Sequence, residues 1–368
     1  MRPALSIHAQ NLPTSVPFVG PEAIERKNEQ LFLARLGANE NGFGPSPRVI
    51  AAMQTAASDI WKYPDPDNFE LKQAVAQHFG VGFENVNIGG GIDGLLGHTV
   101  RLFLNPGDKV VTSLGVYPTF GYQASGFGAQ LIAVPYKDDH QDLEGMLEAA
   151  IRETPKLVYL ANPDNPMGTW HSGAKIAAFA AALPPETMLV LDEAYGDVAT
   201  PDMLPVIDVN TPNVLRYRTF SKAYGLAGLR IGVVFGARET VSAFDRVRNH
   251  FEMSRMAQVA ALEALSDQDY LERTINNIKN SRKMIHQIAR DSGLKTIPSA
   301  TNFVAVDCGR DGAYAKQVMG GLIERRVFVR KPFAPILDRC LRVSCGPEAE
   351  MSLFANALHD TIASILVI

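Results

Sequence analysis

The sequence is short of most features that would send a chain to a membrane, a polyanion or an oxidising compartment. Its longest continuous apolar stretch, residues 176–183, is eight residues long, whereas a membrane-spanning helix needs about 20. The first 30 residues hold no basic head followed by a long apolar run, so no secretory signal is expected. Three cysteines, Cys308, Cys340 and Cys345, are too few and too clustered for a disulfide framework and fit a reducing compartment. Neither charge sign dominates: 35 Lys+Arg against 39 Asp+Glu leave a net charge of -4, which argues against a disordered or nucleic-acid-binding chain. The eight histidines are scattered without HExxH, the cysteines lack a second pair at finger spacing, and GxSxG is missing. The expectation is a soluble, cytoplasmic protein with no metal, membrane or nucleic-acid partner.

What remains is a chain rich enough in apolar residues, 46% of 368, for two or three structural units. Residues 1–35 read as an arm punctuated by Pro13, Pro17, Gly20 and Pro21, with a weak helical stretch over 22–35. Short apolar runs then recur at 86–88, 110–112, 131–135, 157–161, 188–191, 214–220 and 231–235, each followed by a longer stretch of mixed polarity. Buried parallel strands covered by helices on both faces read this way. Helical character falls at 95–104, 143–153 and 174–183, the last stopped by Pro184 and Pro185. A three-layer α/β/α domain with a mostly parallel sheet is expected at 36–250. Residues 241–291 hold few breakers and suggest at least two helices, with Met256, Val259, Ala260, Leu262 and Leu265 at helical spacing. Beyond them, strands at 303–306 and 341–344 alternate with helices, as a smaller α+β domain over 251–368 would.

Several segments carry residues suited to chemistry, each with a plainer alternative. Gly89, Gly90 and Gly91 lie between a strand and a helix, where amides can converge on a phosphate or simply make a turn. Asp93 follows early enough to cap or oppose the helix dipole. Residues 162–168, Asn-Pro-Asp-Asn-Pro-Met-Gly, form a rigid turn, yet turn chemistry does not ask for Asn165 between prolines, where an amide can donate to a ligand oxygen. Asp192 and Glu193 end a buried strand, which is costly unless they cap a helix, reach solvent or meet a cation. Asp192 could face a protonated ring nitrogen while Tyr195 donates to another oxygen. Lys222 closes a strand beside a Gly-rich apolar segment; it is either a surface lysine or a buried amine fit for Schiff-base chemistry. Thr219, Ser221 and Arg230 stand close by as phosphate donors. Arg342 either faces solvent or clamps a carboxylate, and Cys340 and Cys345 read as packed thiols.

Taken in order, Asn39-Glu40-Asn41, the 162–168 turn, Asp192-Glu193-Ala194-Tyr195 and Ser221-Lys222 with Arg230 resemble the fold-type I pyridoxal-phosphate aminotransferases, nearest their histidinol-phosphate branch, from about residue 17 to 346. The resemblance implies pyridoxal 5'-phosphate as cofactor and Lys222 as its Schiff-base lysine, base and acid. It implies Asp192 at the ring nitrogen, Asn165 and Tyr195 at the phenolic oxygen, and Phe120 stacked on the ring. Gly91, Ile92, Thr219, Ser221 and Arg230 match phosphate-cup positions, and Tyr63 matches a tyrosine reaching the cofactor of the partner subunit, which implies a homodimer with shared sites. Arg342 corresponds to the α-carboxylate clamp with Asn41 near it, and Arg330 to an arginine for the substrate's distal phosphate. A ping-pong transfer from L-histidinol phosphate to 2-oxoglutarate follows from this likeness. The chain departs from the branch at four places: Phe18 stands where tyrosine is usual, Gly94 replaces an acidic residue, Met167 a threonine, and residues 250–254 read His-Phe-Glu-Met-Ser. Phe18 keeps the ring but loses a hydroxyl for the substrate. Arg330 needs an anion, which a phosphate, a carboxylate or Asp338 would supply. Aromatic or dicarboxylic amino-acid transfer, decarboxylation of a phosphorylated amino acid on the same fold, and a non-catalytic cofactor-binding protein are the alternatives.

Overall fold

The structure is a computed structural model that describes residues 3–10, 12 and 19–366. Seven strands form the central sheet: β1 Val86–Gly89, β2 Lys109–Ser113, β3 Gln130–Val134, β4 Leu157–Ala161, β5 Met188–Asp192, β6 Val214–Thr219 and β7 Gly232–Phe235. Their spatial order is β1-β7-β6-β5-β4-β2-β3. Every pairing from β3 to β6 is parallel, while β7 is antiparallel to both β6 and β1. The apolar run at 231–235 is therefore not one of the parallel strands that its composition suggests. Parallel return needs a crossover of a dozen or more residues, usually a helix. Between Phe220 and Ile231 the chain has only one 3-10 turn, Ala227–Leu229, so it doubles back. The edge strand β3 is also more exposed than expected, with Leu131 39% accessible, because only β2 flanks it.

Alternation along the central strands assigns the two faces. Leu157, Tyr159 and Ala161 point to one side, where they pack with residues of α3 (Gly91–Phe103) and α4 (Pro118–Gly126). Val158 and Leu160 point to the other, against Met146 and Ala150 of α5 (Leu143–Glu153) and Ile176 and Phe179 of α6 (Gly173–Ala182). This is the three-layer α/β/α arrangement read from the sequence.

Of the helices that precede the sheet, α1 Pro47–Ala56 and α2 Phe69–Phe79 both pack on α7, Arg255–Ser266. In α7 the buried face is alanine: Ala257, Ala260, Ala261 and Ala264 with Leu265. Met256, Val259 and Leu262, expected on that face, are only partly buried. Small side chains let the helices approach closely, and the larger apolar ones flank the seam. The long helix α8, Gln268–Asp291, leads to a three-stranded antiparallel sheet of β8 Lys295–Thr296, β9 Phe303–Asp307 and β10 Cys340–Ser344. Helices α9, Gly312–Glu324, and α10, Glu348–Leu366, complete that part. The segment Ala34–Arg35 pairs with Val327–Phe328, and Leu36 continues this through backbone bonds to Phe328 and Ser344. Residues just after the arm therefore lie between the two sheets.

Asp267 joins two helix starts. It accepts the Tyr270 amide at the beginning of α8 (3.3 Å) and the Ser46 hydroxyl, whose oxygen in turn accepts Arg48 N–H and caps α1. Removing both acceptors, Asp267→Ala should lower stability by about 1–2 kcal/mol. A urea unfolding midpoint within error of the parent would contradict this reading.

Candidate active site

In a mostly parallel sheet ligands collect at the C-terminal strand edge, where the chain leaves each strand for a loop. Here Gly89, Ala161, Asp192 and Thr219 end four strands, and the antiparallel β7 starts among them at Gly232. A cavity of about 300 Å³ opens over this edge, lined by eight of the candidate residues: Ile92, Asn165, Asp192, Tyr195, Thr219, Ser221, Lys222 and Arg230.

Asp192 and Glu193 differ sharply in their surroundings. Glu193 points away from the cavity into a pair of guanidinium groups: Arg216 Nη2 at 2.7 Å and Arg218 Nε at 3.1 Å, with Asp197 holding the second arginine from its far side. Asp192, 5% exposed, accepts only the Tyr159 hydroxyl (2.7 Å) and the Ala194 amide (3.0 Å), and forms no ion pair among the described residues. Burial pushes its carboxyl up to about 6, with those two hydrogen bonds pulling the other way. A buried acid left without a cation at a cavity floor suits a ligand that brings one.

Across the cavity, the Lys222 Nζ reaches only the Asn39 carbonyl, at 3.2 Å, and lies 5.7 Å from the centre of the Tyr195 ring. Burial, followed by the Arg342 charge, lowers its amine to about 8, which brings the neutral nucleophile within reach of neutral pH. The Tyr195 hydroxyl accepts from Asn39 Nδ2 (2.9 Å) and Asn165 Nδ2 (3.3 Å), and burial raises it above its ordinary range. Asn165 is oriented in turn by Arg342, whose Nη1 donates to Oδ1 at 2.8 Å. Arg342 also donates to the Gly37 carbonyl, its Nε is buried without a hydrogen-bond partner, and burial brings it down to about 10. It does not face solvent as an isolated surface arginine would.

At the other end of the cavity α3 begins at Gly91 with φ +81, and no side chain caps its N-terminus. Arg230 lies over Gly91 so closely that a Cβ there would meet the guanidinium. Its Nη1 donates to Ser221 Oγ at 3.2 Å, and the Ser221 amide donates to Thr219 Oγ1 at 3.0 Å. Free helix amides, two hydroxyls and a guanidinium make an anion cup.

Other candidates lie elsewhere. Phe120 is fully buried one layer behind the cavity wall, stacked on Tyr159 at 4.7 Å and 12°, so it touches Asp192 only through that tyrosine. Asn41 turns its side chain to the Ala223 carbonyl and the Phe43 amide, and Asn39, two residues earlier, is the asparagine at the site. Arg330 donates to the Val19 carbonyl, and its backbone pairs with that of Arg342, which sets the two side chains on one face. Asp338 is not its counter-ion; that carboxylate takes Lys331 instead. Tyr63 is 78% exposed, packed on Phe251, and outside this chain's cavity. Phe18 lies outside the described residues. Asn39 and Tyr159 were missed from sequence. A tyrosine inside an apolar strand needs a partner for its hydroxyl, and that was the available signal for the second.

An unpaired buried carboxylate, a lowered lysine opposite it, and an anion cup at one end fit the ring nitrogen, aldehyde and phosphate of pyridoxal phosphate, and they define a fold-type I transaminase site. The sequence matches the family model "Aminotransferase class I and II" over residues 33–358, and the chain belongs to that family. It is 35% identical over 354 residues to a histidinol-phosphate aminotransferase of Moorella thermoacetica, covering 94% of this chain and 91% of that one. It is 37% identical over 336 residues to histidinol-phosphate aminotransferase 1 of Mesorhizobium japonicum, at 90% coverage of each. Among solved structures, histidinol-phosphate aminotransferase from Sinorhizobium meliloti in complex with pyridoxal-5'-phosphate superposes with TM-score 0.95, at 54% identity and 98% coverage of both chains.

The pH response of Lys222 checks this electrostatic picture. In cofactor-free protein the rate of borohydride-trappable condensation with pyridoxal should rise as pH increases through about 8, as the ammonium loses its proton. A midpoint at the ordinary lysine value, about 10.4, would show that the amine is not desolvated.

Proposed function

We propose that the protein transfers the amino group of L-histidinol phosphate to 2-oxoglutarate in a ping-pong cycle, working as a homodimer in the cytoplasm. The observation that carries the substrate assignment is the near-full-length likeness to histidinol-phosphate aminotransferases at up to 54% identity. The site supports it with two arginines, Arg330 and Arg342, on one face of paired strands, one for the phosphate of the donor and one for the α-carboxylate of the acceptor.

Pyridoxal phosphate, when bound, supplies the aldehyde that carries the amino group and the ring that accepts the electron pair of the broken Cα–H bond. Lys222 is the amine that would anchor it, and its freed amine would take the substrate's α-proton and deliver one to the former aldehyde carbon, across the intervening nitrogen. Asp192 keeps the ring nitrogen protonated, an effect of an anion in a low-dielectric pocket. Tyr195 and Asn165 donate to the phenolic oxygen, while Gly91, Ile92, Thr219, Ser221 and Arg230 hold the phosphate. Support for the dimer comes from a surface where Trp61 and Tyr63 are both 78% exposed beside Phe251. On this reading Tyr63 reaches the phosphate in the partner's site, Asn39 takes the place at the substrate end expected of Asn41, Phe18 remains a candidate substrate contact, and the chain divides at 36 and 250 into arm, large domain and small domain.

A single-turnover survey tests the donor. With histidinol phosphate, phenylalanine, tyrosine, aspartate and glutamate compared, histidinol phosphate should discharge the visible Schiff-base band fastest. Arg330→Ala should raise its KM by roughly 10- to 100-fold, the loss expected for a charge-assisted hydrogen bond, and leave phenylalanine nearly unchanged. An equal loss with phenylalanine would remove the proposed role of Arg330, and a preference for an aromatic amino acid would overturn the donor.

A further inference from the structure

One buried acid near the site is not used by the mechanism. Glu252 sits just before α7 with its side chain 15% exposed, and its Oε1 is fully buried with no hydrogen-bond partner. The carboxyl group is seated in the glycine turn that starts α3. A Cβ built on Gly89 would stand 2.8 Å from Oε1, and those on Gly90 and Gly94 would stand 3.6 and 3.9 Å from Oε2. The Gly90 amide is the backbone donor nearest its charge, and it favours the ionised carboxylate against the burial that opposes it. From the body of α3, His98 brings Nε2 to 3.6 Å from Oε2, while its Nδ1 is buried and unpartnered. Burial, together with Arg101 and Arg248, holds His98 down at about 4, so the ring is neutral and this contact is no ion pair.

The turn therefore has an acid on one side and a guanidinium on the other. Arg230 covers Gly91 from the cavity side, and Glu252 fills the space behind Gly89, Gly90 and Gly94. A Cβ at Gly89 would force the carboxyl group to move, while Cβ atoms at Gly90 and Gly94 would only touch it, so the turn packs directly on Glu252. Its N-cap residue, Gly90, has no side chain of its own to cap the helix. A turn of three glycines has the most backbone freedom of any sequence, and its amides converge on a phosphate only if something outside it fixes the peptide planes.

We propose that Glu252, braced by His98, is a positioning residue for the cofactor's phosphate: it holds the Gly90 peptide so that the Gly91 and Ile92 amides point into the cup. The inference rests on the pyridoxal-phosphate reading of the cavity and adds to it a residue that never touches the cofactor. It requires the effect to be confined to the phosphate handle, since Glu252 does not line the cavity in which Lys222 and Asp192 stand.

The test compares binding of pyridoxal phosphate with that of pyridoxal, which lacks the phosphate, by titrating cofactor-free protein and following the visible band. Two variants are used. Glu252→Gln keeps the shape and an acceptor for Gly90, and Glu252→Met fills the same space with no acceptor and is expected to fold. Glu252→Met should weaken pyridoxal phosphate roughly tenfold, the worth of one hydrogen bond to a charged group, and leave pyridoxal unchanged. Glu252→Gln should stay close to the parent for both. An unchanged ratio of the two affinities in Glu252→Met would overturn the proposal, as would an equal loss for both ligands. Failure of the parent protein itself to bind pyridoxal phosphate would instead refute the cofactor reading beneath it.

Discussion

The arrangement depends on one buried carboxylate that the protein leaves without a positive partner. Desolvating a carboxylate costs several kcal/mol even after relaxation, and Glu193, the next residue, has that cost offset by two arginines, Arg216 and Arg218. Asp192 has only a tyrosine hydroxyl and an amide. Tyr159 is in turn held by Phe120 stacked flat against it, so the carboxylate is aimed by a rigid aromatic pair. On the proposed reading, a bound cofactor ring would contribute the missing positive charge. Adjacent residues of one strand end thus differ in what they do: Glu193 fastens β5 to β6 on the far side, and Asp192 faces the cavity.

The sheet explains why the other groups meet there. Parallel strands deliver Asn165, Asp192 and Lys222 at one edge, from loops that follow β4, β5 and β6. The reversal into β7 then returns the chain beneath α3, and Gly232 packs on the peptide between Gly91 and Ile92. Arg230, just before that strand, is placed over the helix start by this reversal. On the opposite wall, Asn39 and Arg342 come from the segment and strand on the C-terminal side, and both reach the Tyr195–Asn165 pair. Tyr195 is therefore bonded both from the turn after β4 and from the segment at residue 39, whose amide donates to Ser344 of β10, so its geometry is sensitive to how these two parts lie against each other.

Much of this was legible in the sequence because it is local. Continuous apolar runs, as expected of strands covered on both faces, marked the central strands, and proline and glycine marked the turns that follow them. The motifs at 162–168, 192–195 and 221–230 fall on strand ends, where side chains have few directions open to them. What could not be read depends on contacts across long separations. Asn39 meets Tyr195 over 156 positions, and its backbone at φ +55 decides that it, and not Asn41, faces the site. The direction of β7 followed from the absence of a crossover helix, which apolar content does not encode. In α7 the sequence pattern favoured large apolar residues, whereas close packing on α1 selected the alanines.

The most direct measurement of the central claim is the protonation state of the ring nitrogen facing Asp192. With 15N-labelled pyridoxal phosphate bound, the nitrogen chemical shift should stay at its protonated position through about pH 8, because the buried carboxylate stabilises the charge. In Asp192→Ala it should move to the neutral position. A neutral nitrogen in the parent protein at neutral pH would contradict the account.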